Sequence, residues 1–225
     1  AAVRAKYEGV GRFWRAYFYF SKLQLFGDLP WYDQVLNSDD DELLYKERDS
    51  RDVIIKHIID DLDVAAKQLP EAGENKYHIC RYTALALKAR ACLYEGTFRK
   101  YHAGTEFNPN SLPYADLLQQ AADAALEVMK SGKYQLYAEG TRPYYDYFVG
   151  IGAISEKETI LSRSYGLATH EASAFALVVS KGSAGFTRAF ALTYLDSDGS
   201  RFTDKADYLT EPVTEETKNR DPRMA

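Results

Sequence analysis

The chain has 225 residues, 46% of them hydrophobic and 27% charged, an ordinary globular composition that excludes a disordered or collagen-like polypeptide. Lys and Arg number 28 against 33 Asp and Glu, a net charge of −5, which lacks the basic excess of a nucleic-acid-binding surface. No stretch approaches the ~18 apolar residues of a spanning helix, in keeping with a mean hydropathy of −0.42.

The first predicted element is a helix over Gly11 to Phe26, GRFWRAYFYFSKLQLF, with Phe13, Ala16, Tyr17, Phe20 and Leu23 near the helical period. It ends before Gly27. The following GDLPW carries the helix terminators Gly27 and Pro30 and leads to an acidic run, Asp39 to Glu42, that reads as a solvated loop. Ser50 to Leu69 reads as an amphipathic helix with Ile54, Ile58, Leu62, Ala65 and Leu69 on one stripe and Pro70 behind it. The next, Thr83 to Glu95, is charged only at Lys88, Arg90 and Glu95, so it should be sandwiched between neighbours, with Gly96 as its C-terminal cap. Pro113 offers a first helical position for a helix from Tyr114 to Lys130, whose expected inner stripe is Leu118, Ala121, Ala122, Ala125 and Met129. Beyond Gly132 the texture changes: KYQLY and ETILSRSY read as short extended pieces, and glycines recur at 140, 150, 152, 166, 182 and 185. The chain thus divides into a helical bundle over residues 1–131 and a loop-rich extension of the same domain over 132–225. The helix starts are 39, 33 and 31 residues apart. That spacing hints at a helical array, although one helix per interval is not the two-helix tetratricopeptide unit.

Catalytic signatures are missing. His57, His78, His102 and His170 show no HExxH spacing, there is no GxSxG elbow, and KGSAG at Lys181 to Gly185 lacks the Walker lysine. Asp60 and Asp61 are adjacent, so on a helix they point different ways and cannot flank one glycosidic bond unaided; both read as solvated. LDSDGSRFTDKAD, at Leu195 to Asp207, places Arg201 and Asp207 where an EF-hand needs Gly and Glu, so a tight Asp-Gly turn is expected there. Cys80 and Cys92 are 12 residues apart, about 18 Å along one continuous helix and beyond disulfide reach. No enzyme activity, metal or cofactor is implied.

Six ordered blocks carry a family resemblance: RFWRAYFYFSKLQLFGDLPW (12–31), DVIIKHIIDDLDVAAKQLPE (52–71), YTALALKARACLYEG (82–96), AADAALEVMKSGKYQLY (121–137), ETILSRSYG (158–166) and NRDPRM (219–224). Together they resemble the SusD/RagB nutrient-binding outer-membrane lipoproteins. The resemblance implies a mostly α fold, SusD-like, with tetratricopeptide-like helix pairs and long loops. It further implies a cell-surface lipoprotein of the outer membrane, anchored by an N-terminal lipid not present in this chain, that captures oligosaccharides as the lid of a SusC-like TonB-dependent transporter. A peptide-binding RagB-type lid, or a helical-repeat scaffold that binds only proteins, are the alternatives. The blocks read as the N-terminal and central portion of a longer protein. Family ligand contacts come from variable loops, so no binding residue carries over through a shared motif.

Sugar recognition needs flat aromatic faces over pyranose C–H surfaces, with fixed polar groups beside them. The chain is rich in rings, with 18 Tyr, 11 Phe and 2 Trp. Those within the first helix, Tyr17, Phe18, Tyr19 and Phe20, are expected in the core. The loop rings are Trp31 and Tyr32 after GDLP, Phe98, Tyr101 and Phe107 around His102, and Tyr144 and Tyr145 after Pro143. From these, Trp31, Tyr101, His102 and Tyr144 are the candidate ligand-binding residues, each weighed against plain packing on neighbouring helices.

Overall fold

The computed structural model of the chain describes residues 2–73, 75–140, 142–149, 157–163, 185–221 and 223. It divides into two compact units, Ala1–Gln135 with Glu156–Ser162, and Leu136–Ser155 with Arg163–Ala225.

The first unit is built on four long helices. Helix α1, Ala2–Phe26, begins nine residues before the expected Gly11, because nothing in Ala2 to Val10 breaks a helix. Gly9 has a packing role there: a Cβ on it would lie 3.1 Å from Leu69 Cγ. The helix stops where Gly27 takes φ +71°, its N–H donating to the Leu23 carbonyl at 3.1 Å. A short turn of helix, α2 (Asp41–Leu44), follows within the acidic run.

Helix α3, Arg51–Gln68, buries Ile54, Ile58, Leu62 and Ala65 as its stripe requires, together with Ile55, Ile59 and Ala66. Its first turn is capped from a distance, by Asp28 Oδ1 accepting from the Arg51 N–H at 2.8 Å. Helix α4, Arg81–Tyr101, outruns the expected span at both ends. Gly96 is not its cap. It lies inside the helix against the next one, where a Cβ would come 2.7 Å from Leu118 Cδ2, and the chain turns away only at His102, two residues before Gly104 at φ +74°. At the other end the Cys80 N–H donates to Thr83 Oγ1 at 3.3 Å.

Helix α5 is Ala115–Lys130. Its buried face is Leu117, Ala121, Ala124 and Val128, whereas Ala122 and Met129 face solvent. The expected stripe is therefore rotated by one residue. The sequence repeats apolar doublets, Leu117-Leu118, Ala121-Ala122, Ala124-Ala125 and Val128-Met129, and either member of each satisfies the period.

Helices pack in chain order, α1 on α3, α3 on α4 and α4 on α5, so α3 and α4 share the inner positions. Two ion-pair clusters are buried within the largely apolar core between them. Asp61 is buried and held by Arg15 (Nε–Oδ2 2.6 Å, Nη2–Oδ1 2.7 Å) and Arg12 (2.8 Å), which corrects its expected solvated role; only Asp60 is exposed. The other cluster joins α3 to α4. Glu95, fully buried, accepts from Arg51 Nε at 2.8 Å and from Arg99 Nε at 2.9 Å, and Arg99 Nη2 reaches Asp52 Oδ1 at 3.0 Å. The Arg51 guanidinium also lies over the Phe98 ring, 3.8 Å from its centroid. One later segment, Glu156–Ser162, belongs to this unit and is tied to it by the Gln135 N–H donating to Lys157 O at 3.0 Å and the Ser162 N–H donating to Lys76 O at 2.8 Å.

The second unit contains short helices: α6 (Pro143–Val149), α7 (Arg188–Ala191), a 3-10 turn (Phe202–Asp204) and α8 (Val213–Glu216). Buried Arg220 organises it. Its guanidinium stacks 4.1 Å from the Phe202 centroid and donates to the carbonyls of Tyr194 (2.7 Å), Glu216 (3.0 Å) and Ala191 (3.1 Å). The Asp-Gly turn is present, with Gly199 at φ +87° and Asp198 Oδ1 accepting from the Ser200 N–H at 2.9 Å. The Ser200 hydroxyl, donating to the same oxygen at 2.6 Å, and then that N–H hold the Asp198 carboxyl below its usual range.

Among the described residues there are isolated bridges but no strand. KYQLY forms neither helix nor strand, and of ETILSRSY only residues 158–163 are described. His170, glycines 150, 152, 166 and 182, and most of KGSAG lie outside the described residues.

Candidate functional site

The rings expected to meet a ligand fall into three different environments. Trp31 follows Pro30 into the space between α1 and α3 and is only 8% exposed. One neighbour is His57, stacked at 4.5 Å and 9° between planes; another is Tyr19 at 4.3 Å; and the Arg15 guanidinium lies 4.8 Å away. Its backbone is held as well, the N–H by Asp49 Oδ2 at 2.7 Å and the carbonyl by Lys46 Nζ at 3.0 Å. Trp31 is thus packed within the core of the first unit, the environment weighed against ligand contact for it. Proline and glycine before it signalled a loop, but they only turn the chain so that the indole enters the α1–α3 seam.

Tyr101 and His102 end α4. Tyr101 is 73% exposed, with Lys100 Nζ at 5.5 Å from its ring. His102 is half-buried, stacked on Phe98 at 4.2 Å and met edge-on by Phe107 at 5.7 Å. Its Nδ1 donates to the Phe98 carbonyl at 2.8 Å, so in the neutral ring Nε2 keeps its lone pair and can accept from a hydroxyl. Successive helical residues point about 100° apart, and the two side chains have different neighbours. Beneath them, Asn108 holds the following loop by donating to the Arg99 carbonyl at 3.1 Å and accepting from the Leu112 N–H at 3.0 Å.

In the second unit Tyr144 is 50% exposed on α6, in ring contact with Phe148 at 4.9 Å. Tyr145 stands beside it with the Arg142 guanidinium 4.2 Å from its ring. The Arg223 guanidinium lies 5.9 Å from Tyr144 and 5.3 Å from Tyr194, and is fixed by Asp221, whose carboxyl that pair pulls down to about 2. The turn before α6 needs glycine, because Gly140 has φ +82°. This is a platform of exposed rings with guanidinium groups at its edge. Arg142, Phe148 and Arg223 were not singled out by sequence reasoning; the run RPYYDYF was the available signal.

Among the described residues no group of three His, Cys, Asp or Glu can hold a metal ion, and no helix is long and apolar enough to cross a membrane.

No family model matches the chain, and no curated protein matches it. Solved structures do. A SusD-like protein of Bacteroides fragilis superimposes with a TM-score of 0.67 at 20% identity, over 100% of this chain and 43% of that one. Another B. fragilis structure, described as a SusD-like carbohydrate binding protein, gives 0.65 at 22% identity, over 100% of this chain and 40% of that one. For NanU of B. fragilis the TM-score is 0.53 at 18% identity, over 92% of this chain and 38% of that one. The chain has the SusD-like fold, mostly helical as the resemblance implied, and spans less than half the length of each of these structures.

Proposed function

We propose that these 225 residues belong to a longer SusD-like protein of the outer-membrane surface, one that binds oligosaccharides and delivers them to a SusC-like TonB-dependent transporter. Its role in this reading is binding, not catalysis, and both units are parts of one SusD-like domain. The observation that carries the proposal is the match of the whole chain to SusD-like structures, one of them described as carbohydrate binding. The exposed rings support it. Tyr101 and Tyr144 offer exposed rings, while His102 Nε2 and the Arg142 guanidinium, which stacks on Tyr145, offer polar partners for hydroxyl groups.

The test is titration calorimetry of the full-length protein against a panel of neutral oligosaccharides, with an equimolar panel of short peptides as comparison. Saturable heat with an oligosaccharide, reduced at least fivefold in affinity in Tyr101→Ala or Tyr144→Ala at unchanged melting temperature, supports the proposal. Saturation by peptides alone would replace it with the RagB-type reading, and silence in both panels would remove ligand capture.

A further inference from the structure

Several guanidinium groups lie over aromatic rings: Arg15 over Trp31, Arg51 over Phe98, Arg220 over Phe202, and Arg223 beside Tyr144 and Tyr194. Each of these is also ion-paired, to Asp61, Glu95, Asp196 and Asp221 respectively. Arg142 is different. Its guanidinium lies 4.2 Å from the Tyr145 centroid, and among the described residues no carboxylate, hydroxyl or carbonyl oxygen bonds to it. Asp146, one turn further on, is where an i,i+4 partner would stand, but its carboxylate lies against Gly140 instead. The contact with Tyr145 has a directional consequence. A ring that covers one face of a guanidinium leaves the N–H groups pointing outward in the plane, as a fork that matches a carboxylate through two parallel hydrogen bonds. Arg142 is exposed, so that edge meets solvent. On the same short helix Tyr144 is 50% and Phe148 68% exposed, with their rings in contact at 4.9 Å. From Arg142 to Tyr145 the rise is about 5 Å, so rings and cation are within reach of one short oligosaccharide.

We propose that the α6 platform selects saccharides that carry a carboxylate, uronic acids as a class, and that Arg142 is the residue that tells them from neutral sugars of the same shape. Such a sugar meets both features of the platform: its C–H faces cover the exposed rings, and its planar two-oxygen anion fits the open edge of the guanidinium. Arg223 does not compete for that anion, since Asp221 already occupies its Nε and Nη2. The inference rests on the oligosaccharide-capture reading and narrows it. Neutral sugars bind through the rings, and their acidic counterparts bind more tightly.

The experiment is titration calorimetry of the full-length protein at about 0.15 M salt, which screens distant charges. The probes are tetrasaccharides of galacturonate, glucuronate and mannuronate, their carboxyl-reduced neutral counterparts, and sulfated forms of the latter. At least one uronide should bind about tenfold or more tightly than its reduced form. That preference should shrink to about twofold in Arg142→Gln and to an intermediate value in Arg142→Lys, which keeps the charge but loses the fork. It should survive whole in Arg90→Gln, which removes an exposed cation from α4. Equal affinity for acidic and neutral forms overturns the inference and leaves the oligosaccharide reading standing. A preference that persists in Arg142→Gln overturns it too, by assigning the carboxylate to another cation, and an equal gain for the sulfated forms overturns the carboxylate assignment. No heat from any uronide also overturns it, whether or not the neutral sugars saturate, and it is the neutral sugars that judge the broader reading.

Discussion

Replacing Glu95 with Gln probes the joint that fixes α4 against α3. The carboxylate is fully buried and is shared by two guanidinium groups, Arg51 at 2.8 Å and Arg99 at 2.9 Å. Gln has the same shape, but its one oxygen can satisfy one arginine, and its amide N–H groups then face the N–H groups of the other. Arg99 retains Asp52 at 3.0 Å; Arg51 retains its stacking on Phe98 but, as a hydrogen bond, only a 3.4 Å contact to the Leu23 carbonyl, and already has a buried Nη2 without a partner. Breaking a buried charge cluster at one member costs about 3–5 kcal/mol. At about 2–4 °C per kcal/mol for a chain of this size, the melting temperature should fall by about 6–20 °C. Urea and thermal unfolding followed by circular dichroism measure this directly. Glu127→Gln is the control, since that carboxylate pairs with Arg81 at the surface and should cost under about 1 kcal/mol. Two variants of equal stability would show that Glu95 does not hold the α3–α4 seam.

Four further outcomes follow from the same contacts. Trp31→Ala should destabilise by about 3–5 kcal/mol, because its ring fills the α1–α3 seam beside Tyr19 and His57; a melting temperature within a degree of the parent would return Trp31 to the surface. Gly96→Ala should lose about 1–3 kcal/mol against Leu118, while Gly11→Ala, with nothing within 4 Å, should gain about 0.5–1 kcal/mol; the same sign for both would contradict the packing of α5 on α4. Neither thiol should react with Ellman's reagent until the protein unfolds, as Cys80 and Cys92 are both buried; a fast equivalent in the native protein would refute this. Burial pushes the Cys92 thiol up to about 11, above its unfolded value near 8.5–9, so the stability it contributes is complete below about pH 8.5 and lost as pH rises to about 11. Cys92→Ala should flatten that alkaline slope, and an unchanged slope would count against the burial.

Legibility in the sequence varied with how much each residue pattern left undetermined. The α3 stripe was readable because charged residues fill the positions between its isoleucines, leaving one apolar face. In α5 the doublets make two adjacent faces equally apolar, and only packing against α4 selects Leu117 and Val128 as buried members. Tyr17 and Phe18 are half exposed rather than in the core for a related reason: α1 is apolar on both sides, and periodicity cannot say which side a neighbour covers. Gly96 reads as a terminator because glycine ends helices more often than it admits a neighbour. Among the candidate ligand rings, Tyr101 and Tyr144 are open, while Trp31 turned inward through contacts made 26 residues away at His57. Nothing in the sequence marks Arg142 and Arg223 as ring partners, because only the folded chain brings their guanidinium groups to Tyr145 and Tyr144.

The central claim, that a SusD-like scaffold presents exposed tyrosines to oligosaccharides, is tested most directly by titrating the full-length protein and its Tyr144→Ala and Tyr101→Ala variants with the oligosaccharide that the parent binds. Each open ring that contacts sugar should contribute about 1–2 kcal/mol, a loss of roughly five- to thirtyfold in affinity, with melting temperature unchanged because neither ring belongs to the buried core. Parent-like affinity in both variants would contradict the account.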